Sequence, residues 1–269
     1  MSKIRLFVGS GEASLLERKT FIHSARQQTR REMDIYVFNG THNAVELNGG
    51  EPFLAPMSLK VKYRNVTEFS LYRFLIPQIC NFEGKAIFTD SDMVCLGDIG
   101  ELFDTPMNGC DILAKKDAYK GKGWGLSVMV IDCARARFDL EEVVREMDAG
   151  LYDYTDFTNF RAKYLERHPL KIGEIDPKWN VFDYCDPTTK LIHYTNLYTQ
   201  PWKHAGHPFE DLWFRHFEAA QAAGAVKPRD IELSLLRSYV RRDIRKRKNL
   251  AWNRLKSRVK YAIKPPKAR

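Results

Sequence analysis

Apolar residues fall in short blocks closed by glycine, asparagine or aspartate, and these blocks alternate with stretches of helical periodicity. Ile4-Arg5-Leu6-Phe7-Val8 reads as a buried first strand, with Gly9-Ser10-Gly11-Glu12 as the turn at its carboxyl end. A helix is predicted to about Arg30, then a second strand over Asp34–Phe38 that stops at Asn39-Gly40. A strand, a helix and a strand in that order build a parallel sheet. Residues from Thr41 to Asn65 show little periodicity and read as an irregular excursion. Phe69, Tyr72, Leu75, Ile76 and Ile79 then recur at helical spacing, predicting a helix from about Thr67 to Cys80 with Arg73 among its apolar positions. Ile87 to Val94 is an apolar block broken by two carboxylates, Asp90 and Asp92.

Further along, Gly97–Phe103 starts a short helical turn, and Asp111–Ala114 and Leu126–Asp132 read as strands. The glycine- and lysine-rich loop Lys120-Gly121-Lys122-Gly123-Trp124-Gly125 between them is expected to expose Trp124, as a sugar face or a lid would. Helices are predicted over Asp139–Met147 and Thr158–Arg167, followed by extended pieces at Ile172–Asn180 and Lys190–Thr195.

Length and composition fit an α/β enzyme domain: 269 residues, 44% of them hydrophobic, can bury a sizeable core. Five scattered cysteines, with no C-x-x-C pair, point to reduced thiols and a cytoplasmic setting. The first apolar run is too short for a signal-peptide core, and no run approaches the roughly 20 apolar residues of a spanning helix.

Charge divides the chain at residue 237. From Arg237 to Arg269 there are 14 Lys and Arg against one acidic residue, Asp243, so this stretch carries +13 of a net +9 and the remainder is −4. The division predicts a domain over 1–236 and a basic tail over 237–269. Within the tail Val240, Ile244, Ala251, Trp252, Leu255, Val259, Ala262 and Ile263 fall mostly at three- and four-residue steps until Pro265-Pro266. That is the pattern of a helix lying on an anionic membrane surface. A helix packed on its own domain with a solvated basic face is the alternative. Nucleic acid ranks below both, because the body of the chain is acidic.

The candidate chemistry centres on Asp90-Ser91-Asp92. In extended backbone, residues i and i+2 point to one face, so two anions meet and call for a cation. Oxygen ligands of this kind suit Mg²⁺ or Mn²⁺, which bridge to a diphosphate. A pair of turn-capping aspartates is the plainer alternative. Arg73 reads either as a snorkelling surface residue or as a bidentate partner for a carboxylate or phosphate. His193 ends an apolar strand, where a histidine is structural or a third ligand. Gly9 to Glu12 is a candidate nucleotide loop by its place beyond a strand's carboxyl end.

Together, Tyr72-Arg73-Phe74-Leu75-Ile76-Pro77, Asp90-Ser91-Asp92 followed by Asp98–Phe103, Trp179-Asn180, Ile192-His193-Tyr194 and Gln200-Pro201-Trp202 resemble glycosyltransferase family 8 and its bacterial relatives, along nearly all of residues 3 to 210. The resemblance implies the GT-A fold, one α/β domain around a mixed, mostly parallel sheet. It also implies transfer of a hexose, with retention, from a nucleotide diphosphate sugar such as a UDP-sugar to a glycan or lipid-linked saccharide acceptor. It carries a Mn²⁺ site (Mg²⁺ as substitute) onto Asp90, Asp92 and His193, nucleoside contacts onto Gly9, Ser10, Gly11 and Glu12, and donor contacts onto Arg73, Ser91 and Trp202. Asp117 and Ser127 take the places near the sugars. Two departures stand out: Asn196 replaces a glycine with one residue inserted, and Gln200 stands where a lysine reaches the diphosphate, leaving Lys203 as the nearby cation.

Three readings follow. The first is a metal-dependent retaining glycosyltransferase at the inner membrane face. The second is a GT-A nucleotidyltransferase, a class whose glycine-rich loop with following Arg and Lys is missing from Gly9–Glu12. The third is a non-catalytic protein whose basic tail binds nucleic acid.

Overall fold

The structure is a computed structural model that describes residues 2–55, 69–116 and 123–245. Asp117, residues 120–122 of the lysine-rich loop and residues 246–269 lie outside the described residues. Along the chain run β1 (Ile4–Ser10), a 3₁₀ turn, α1 (Leu15–Gln28), β2 (Met33–Asn39), β3 (Ala44–Leu47) and β4 (Phe53–Leu54). A 3₁₀ turn over Tyr72–Leu75 leads into α2 (Ile76–Ile79), β5 (Lys85–Asp90), β6 (Met93–Cys95) and α3 (Ile99–Asp104). Next come β7 (Ile112–Lys116), β8 (Trp124–Asp132), α4 (Leu140–Asp148), α5 (Tyr154–Thr158), α6 (Ala162–Arg167) and β9 (Ile172–Glu174). The chain continues through β10 (Val181–Phe182), β11 (Leu191–His193), α7 (Glu210–Ala222) and α8 (Pro228–Leu236).

These elements form two compact units. The first comprises Met1–Glu12, Arg31–Asp90 and Gly100–Pro177; the second comprises Ala13–Arg30, Ser91–Ile99 and Lys178–Arg269.

The first unit holds a mixed sheet in the order β4-β3-β2-β1-β5-β8-β7-β9. Strands β2, β1 and β5 are parallel, as are β7 and β9, while β3, β4 and β8 pair antiparallel with their neighbours. Antiparallel pairing therefore takes a larger share than the mostly parallel expectation. β3 folds straight back on β2 through a short turn, and a direct return of this kind needs no crossover. The central strands are buried almost throughout, which is why they read as mostly apolar blocks. Gly9 belongs to β1 rather than to the turn after it. A Cβ there would lie 2.4 Å from the Phe69 ring and 2.9 Å from that of Phe88, so close packing requires the glycine.

Several helical expectations are corrected by backbone geometry. In place of one helix to Cys80, the described residues hold a 3₁₀ turn over Tyr72–Leu75 and the single turn α2, which stops at Cys80 because Asn81 and Phe82 both take left-handed φ, at 53° and 56°. The expected helix over Thr158–Arg167 is split into α5 and α6. Phe160 sits at φ 45°, and the Asn159 carbonyl accepts from the Trp124 N–H at 2.7 Å instead of continuing a helix. That bond draws Trp124 into β8, half-buried against the core, which removes it from the exposed loop where the sequence placed it.

The second unit packs α1 against β6, α7 and α8. Its small sheet runs β10-β11-β6, with His193 opposite Met93. Leu16, Val94, Ile192, Tyr194, Trp202, Trp213, Phe214 and Phe217 fill its core. Val240 and Ile244 are buried in the same cluster and the segment holding them forms turns, so these two residues are not available to a lipid-facing helical stripe. All five cysteines are free thiols. Among the described residues no helix is long and apolar enough to cross a membrane.

Candidate functional site

In the first unit β1 and β5 run parallel, and their register places Gly9 beside Asp90 at their shared carboxyl ends. Ligands of open α/β sheets gather there. Ser10 is buried, and the Glu12 N–H donates to Thr41 Oγ1 at 2.9 Å, so the loop leaving β1 is tied to the end of β2. Ser127 is buried on β8, next to the Val128 that pairs with Thr89.

Arg73 is not a surface residue. Its side chain is 11% exposed, and it donates to the Ser70 carbonyl at 2.8 Å, to the Leu126 carbonyl at 2.6 Å and to Asp90 Oδ1 at 3.3 Å. The guanidinium also lies 4.6 Å from the centre of the Phe88 ring. Such a fork fixes the direction of the Asp90 carboxylate in a way a lysine cannot.

In the second unit, Asp92 and His193 are brought together by the pairing of β6 with β11. The Tyr194 N–H donates to the Asp92 carbonyl at 2.9 Å, and His193 Nε2 lies 3.0 Å from Asp92 Oδ1. On the other side of the ring, Nδ1 faces Asn180 Oδ1 at 3.2 Å. With a carbonyl oxygen there, the imidazole proton belongs on Nδ1, which leaves the Nε2 lone pair facing a carboxylate oxygen. Asp92 Oδ1 is buried and accepts no hydrogen bond. Two acceptors at this distance need a positive charge between them, either a proton or a metal ion. Imidazole nitrogen with carboxylate oxygen is a donor set that Mn²⁺ accepts, and an oxygen acceptor on the far ring nitrogen, here Asn180 Oδ1, orients a metal-binding histidine.

Asp92 Oδ2 accepts from Gln200 Nε2 at 3.1 Å, and the same amide nitrogen donates to the Tyr194 carbonyl at 3.0 Å. Gln200, at the position where the family pattern has a lysine, thus lies against the Asp92 carboxylate. Ser91 is buried, Lys203 is exposed, and Trp202 is fully buried against Tyr194 and Trp213. The loop from Thr195 to His207 is held by Asp183, whose carboxylate takes the Thr195 hydroxyl at 2.5 Å, the Asn196 N–H at 3.2 Å and His207 Nε2 at 3.3 Å. These donors hold the Asp183 carboxyl below its ordinary pKa against the opposing effect of burial.

Glu17, in the first turn of α1, escaped the sequence reading. It is 2% exposed and its Oε2 has no hydrogen-bond partner. Burial pushes its pKa up to about 7; the Asp92 charge acts in the same direction, while the Lys203 charge and the Ser14 hydroxyl oppose. One acid in the first turn of a helix gives no sign of this in sequence. Asn180 was visible only as part of Trp179-Asn180, with no role attached.

No protein-family model matches the chain. Protein CDI of Arabidopsis thaliana is 30% identical over 183 residues, which cover 56% of this chain and 65% of that protein. Among solved structures, a variant of LgtC superposes with a TM-score of 0.61 at 12% identity, covering 86% of this chain and all of that one. LgtC has also been solved as a galactosyltransferase with donor and acceptor sugar analogues. The apo form of the glycosyltransferase GlyE of Streptococcus pneumoniae gives 0.58 at 14% identity over 83% of this chain, and the bifunctional glycosyltransferase WbbM gives 0.55 at 14% over 86%. The chain spans only 63% of GlyE and 51% of WbbM. The fold is therefore of the GT-A type, a mixed α/β architecture shared with glycosyltransferases.

Proposed function

We propose that the chain is a metal-dependent glycosyltransferase of the retaining, family 8 type, moving a hexose from a UDP-sugar to a saccharide or lipid-linked acceptor. The observation that carries this reading is the facing of Asp92 Oδ1 and the His193 Nε2 lone pair at 3.0 Å, a relationship that a cation completes. Asp90, two residues before Asp92 in the chain, adds the third ligand, and Arg73 sets its direction.

When bound, the Mn²⁺ or Mg²⁺ supplies Lewis-acid stabilisation to the departing diphosphate. Around that centre each group has a separate task. Ser10 to Glu12 hold the nucleoside at the end of β1. Gln200 orients Asp92, Lys203 supplies the nearby cation for the diphosphate, and Trp202 keeps their loop in place from the core. Ser127 is assigned to the sugar in this reading, as is Asp117, which lies outside the described residues. The basic segment beyond Arg245 attaches the protein to the anionic inner face of the membrane, where lipid-linked acceptors lie.

Incubating the protein with a panel of nucleotide sugars and Mn²⁺, and following donor breakdown and the product's anomeric signals by NMR, tests this reading. Consumption of one UDP-sugar with retained configuration supports it. No donor consumed under any condition overturns it, and an inverted linkage removes the retaining part.

A further inference from the structure

The loop that follows Gln200 is fastened from a part of the chain that the function above leaves unused. Arg241, five residues beyond the end of α8, donates its backbone N–H to the Trp202 carbonyl at 2.8 Å. Its guanidinium points to the Pro201 and His204 carbonyls at 3.5 and 3.4 Å. The side chain is 10% exposed and enclosed by acids: Asp243 takes Nε and Nη2 as a bidentate partner at 2.5 and 2.6 Å, and Glu210 lies 3.7 Å from Nη1. Glu210 closes the circuit by accepting the Gly206 N–H at 2.9 Å. Phe214 on α7 backs the guanidinium at 5.9 Å, and Val240 and Ile244 bury on either side of it.

We propose that Arg241 is the positioning residue for the loop 200–206, holding it so that Gln200 stays on Asp92 and Lys203 is presented to an anionic ligand. Three of the loop's carbonyls face one arginine whose own charge is balanced by two acids, so the loop is held from behind while its front stays open. Only a planar fork with several donors can face two carbonyls and a carboxylate at once. The position of Arg241 matters as well. It lies near the start of the basic tail that begins at Arg237, and its backbone and side chain both reach the loop bearing Gln200 and Lys203. How the loop is held is independent of the donor-site reading; what the held loop does rests on that reading.

Arg241→Gln in the full-length chain tests both parts. Hydrogen exchange at the Lys203, His204 and Gly206 amides is expected to speed up about tenfold, with the α7 amides around Phe217 unchanged. Binding of UDP with Mn²⁺, followed by calorimetry at a temperature well below unfolding, is expected to weaken about fivefold. Donor KM should rise with kcat within about twofold, the pattern of lost binding and not of lost chemistry. Arg241→Lys keeps the charge and loses the fork, and should recover less than half of the binding. Arg242→Gln removes the same charge one residue away and should change neither measurement. If Arg241→Gln fails to fold, Asp243→Asn loosens the same anchor from its other side and should speed exchange at the same amides.

Loop exchange unchanged, or rising equally with that of α7, overturns the clasp. A loosened loop with unchanged nucleotide binding overturns the positioning role. A wild-type protein that binds no nucleotide overturns the donor-site reading instead, and the exchange result then decides the clasp alone.

Discussion

Gln200 donates through Nε2 to Oδ2 of Asp92 at 3.1 Å, joining positions 108 residues apart in the chain. A neutral amide here steadies the carboxylate without competing for it, as a lysine ammonium would. Gln200→Leu keeps the size and removes the donor. Manganese affinity, measured by calorimetry or by the electron-spin signal of free Mn²⁺, is expected to fall by about tenfold, the scale on which supporting hydrogen bonds act on metal ligands. Unchanged affinity would mean that Asp92 does not depend on this bond.

Arg73 carries a different kind of weight, because its loss removes a buried donor from the Ser70 and Leu126 carbonyls as well as from Asp90. Arg73→Met is expected to lower stability by about 3 kcal/mol, the cost of breaking a buried charged network from one side. Chemical denaturation measures it. Arg73→Lys should recover little of the loss, since an ammonium cannot reproduce the fork.

Glu17 gives a pH dependence of definite sign. Its folded pKa of about 7 lies above the ordinary 4.5, so the folded protein binds the proton more tightly than the unfolded chain does. The stability this provides is fully present below about pH 4.5 and is lost as pH rises through 7. Glu17→Gln removes the titration. In chelator-treated protein at pH 8 the variant should be the more stable by up to about 3 kcal/mol, with the difference shrinking toward pH 5. A pH-independent difference would contradict a buried, proton-holding carboxyl.

The two ends of the basic segment should behave differently on truncation. Removing residues 246–269 leaves Val240, Arg241 and Ile244 in place, and the protein should fold, keep its donor chemistry and cease to sediment with anionic vesicles at low salt. Removing residues 237–269 also takes two buried aliphatic side chains from the core of the second unit, and should cost a further 4 kcal/mol or so, about 2 for each. Equal vesicle binding by the shorter truncation would place the membrane contact elsewhere.

What was legible in sequence followed physical strength. Strands β1, β5 and β8 are buried almost throughout and show as mostly apolar blocks, and the carboxylates of Asp90-Ser91-Asp92 interrupt the apolar run Ile87–Val94. Arg73 stood out as a charge among apolar positions, and its buried partners explain why. Helix boundaries were less visible, because single left-handed residues such as Phe82 and Phe160 end helices without a glycine to mark them. The partners of the site residues were not legible at all. Asn180 at His193, Gln200 at Asp92 and Arg241 at Trp202 are long-range pairs set by tertiary packing, and no local spacing encodes them. The burial of Val240 and Ile244 is the same lesson in reverse, since a periodic apolar stripe does not say which surface covers it.

The most direct measurement is donor hydrolysis by wild type, Asp92→Asn and His193→Ala across a Mn²⁺ titration. Asp92→Asn removes the carboxylate charge and His193→Ala the ring nitrogen, so each should abolish hydrolysis at limiting metal while circular dichroism and the unfolding midpoint show an intact fold, and saturating Mn²⁺ should restore at most a small part. Full activity of either variant at limiting metal would contradict the assignment of this pair to a metal-dependent transferase.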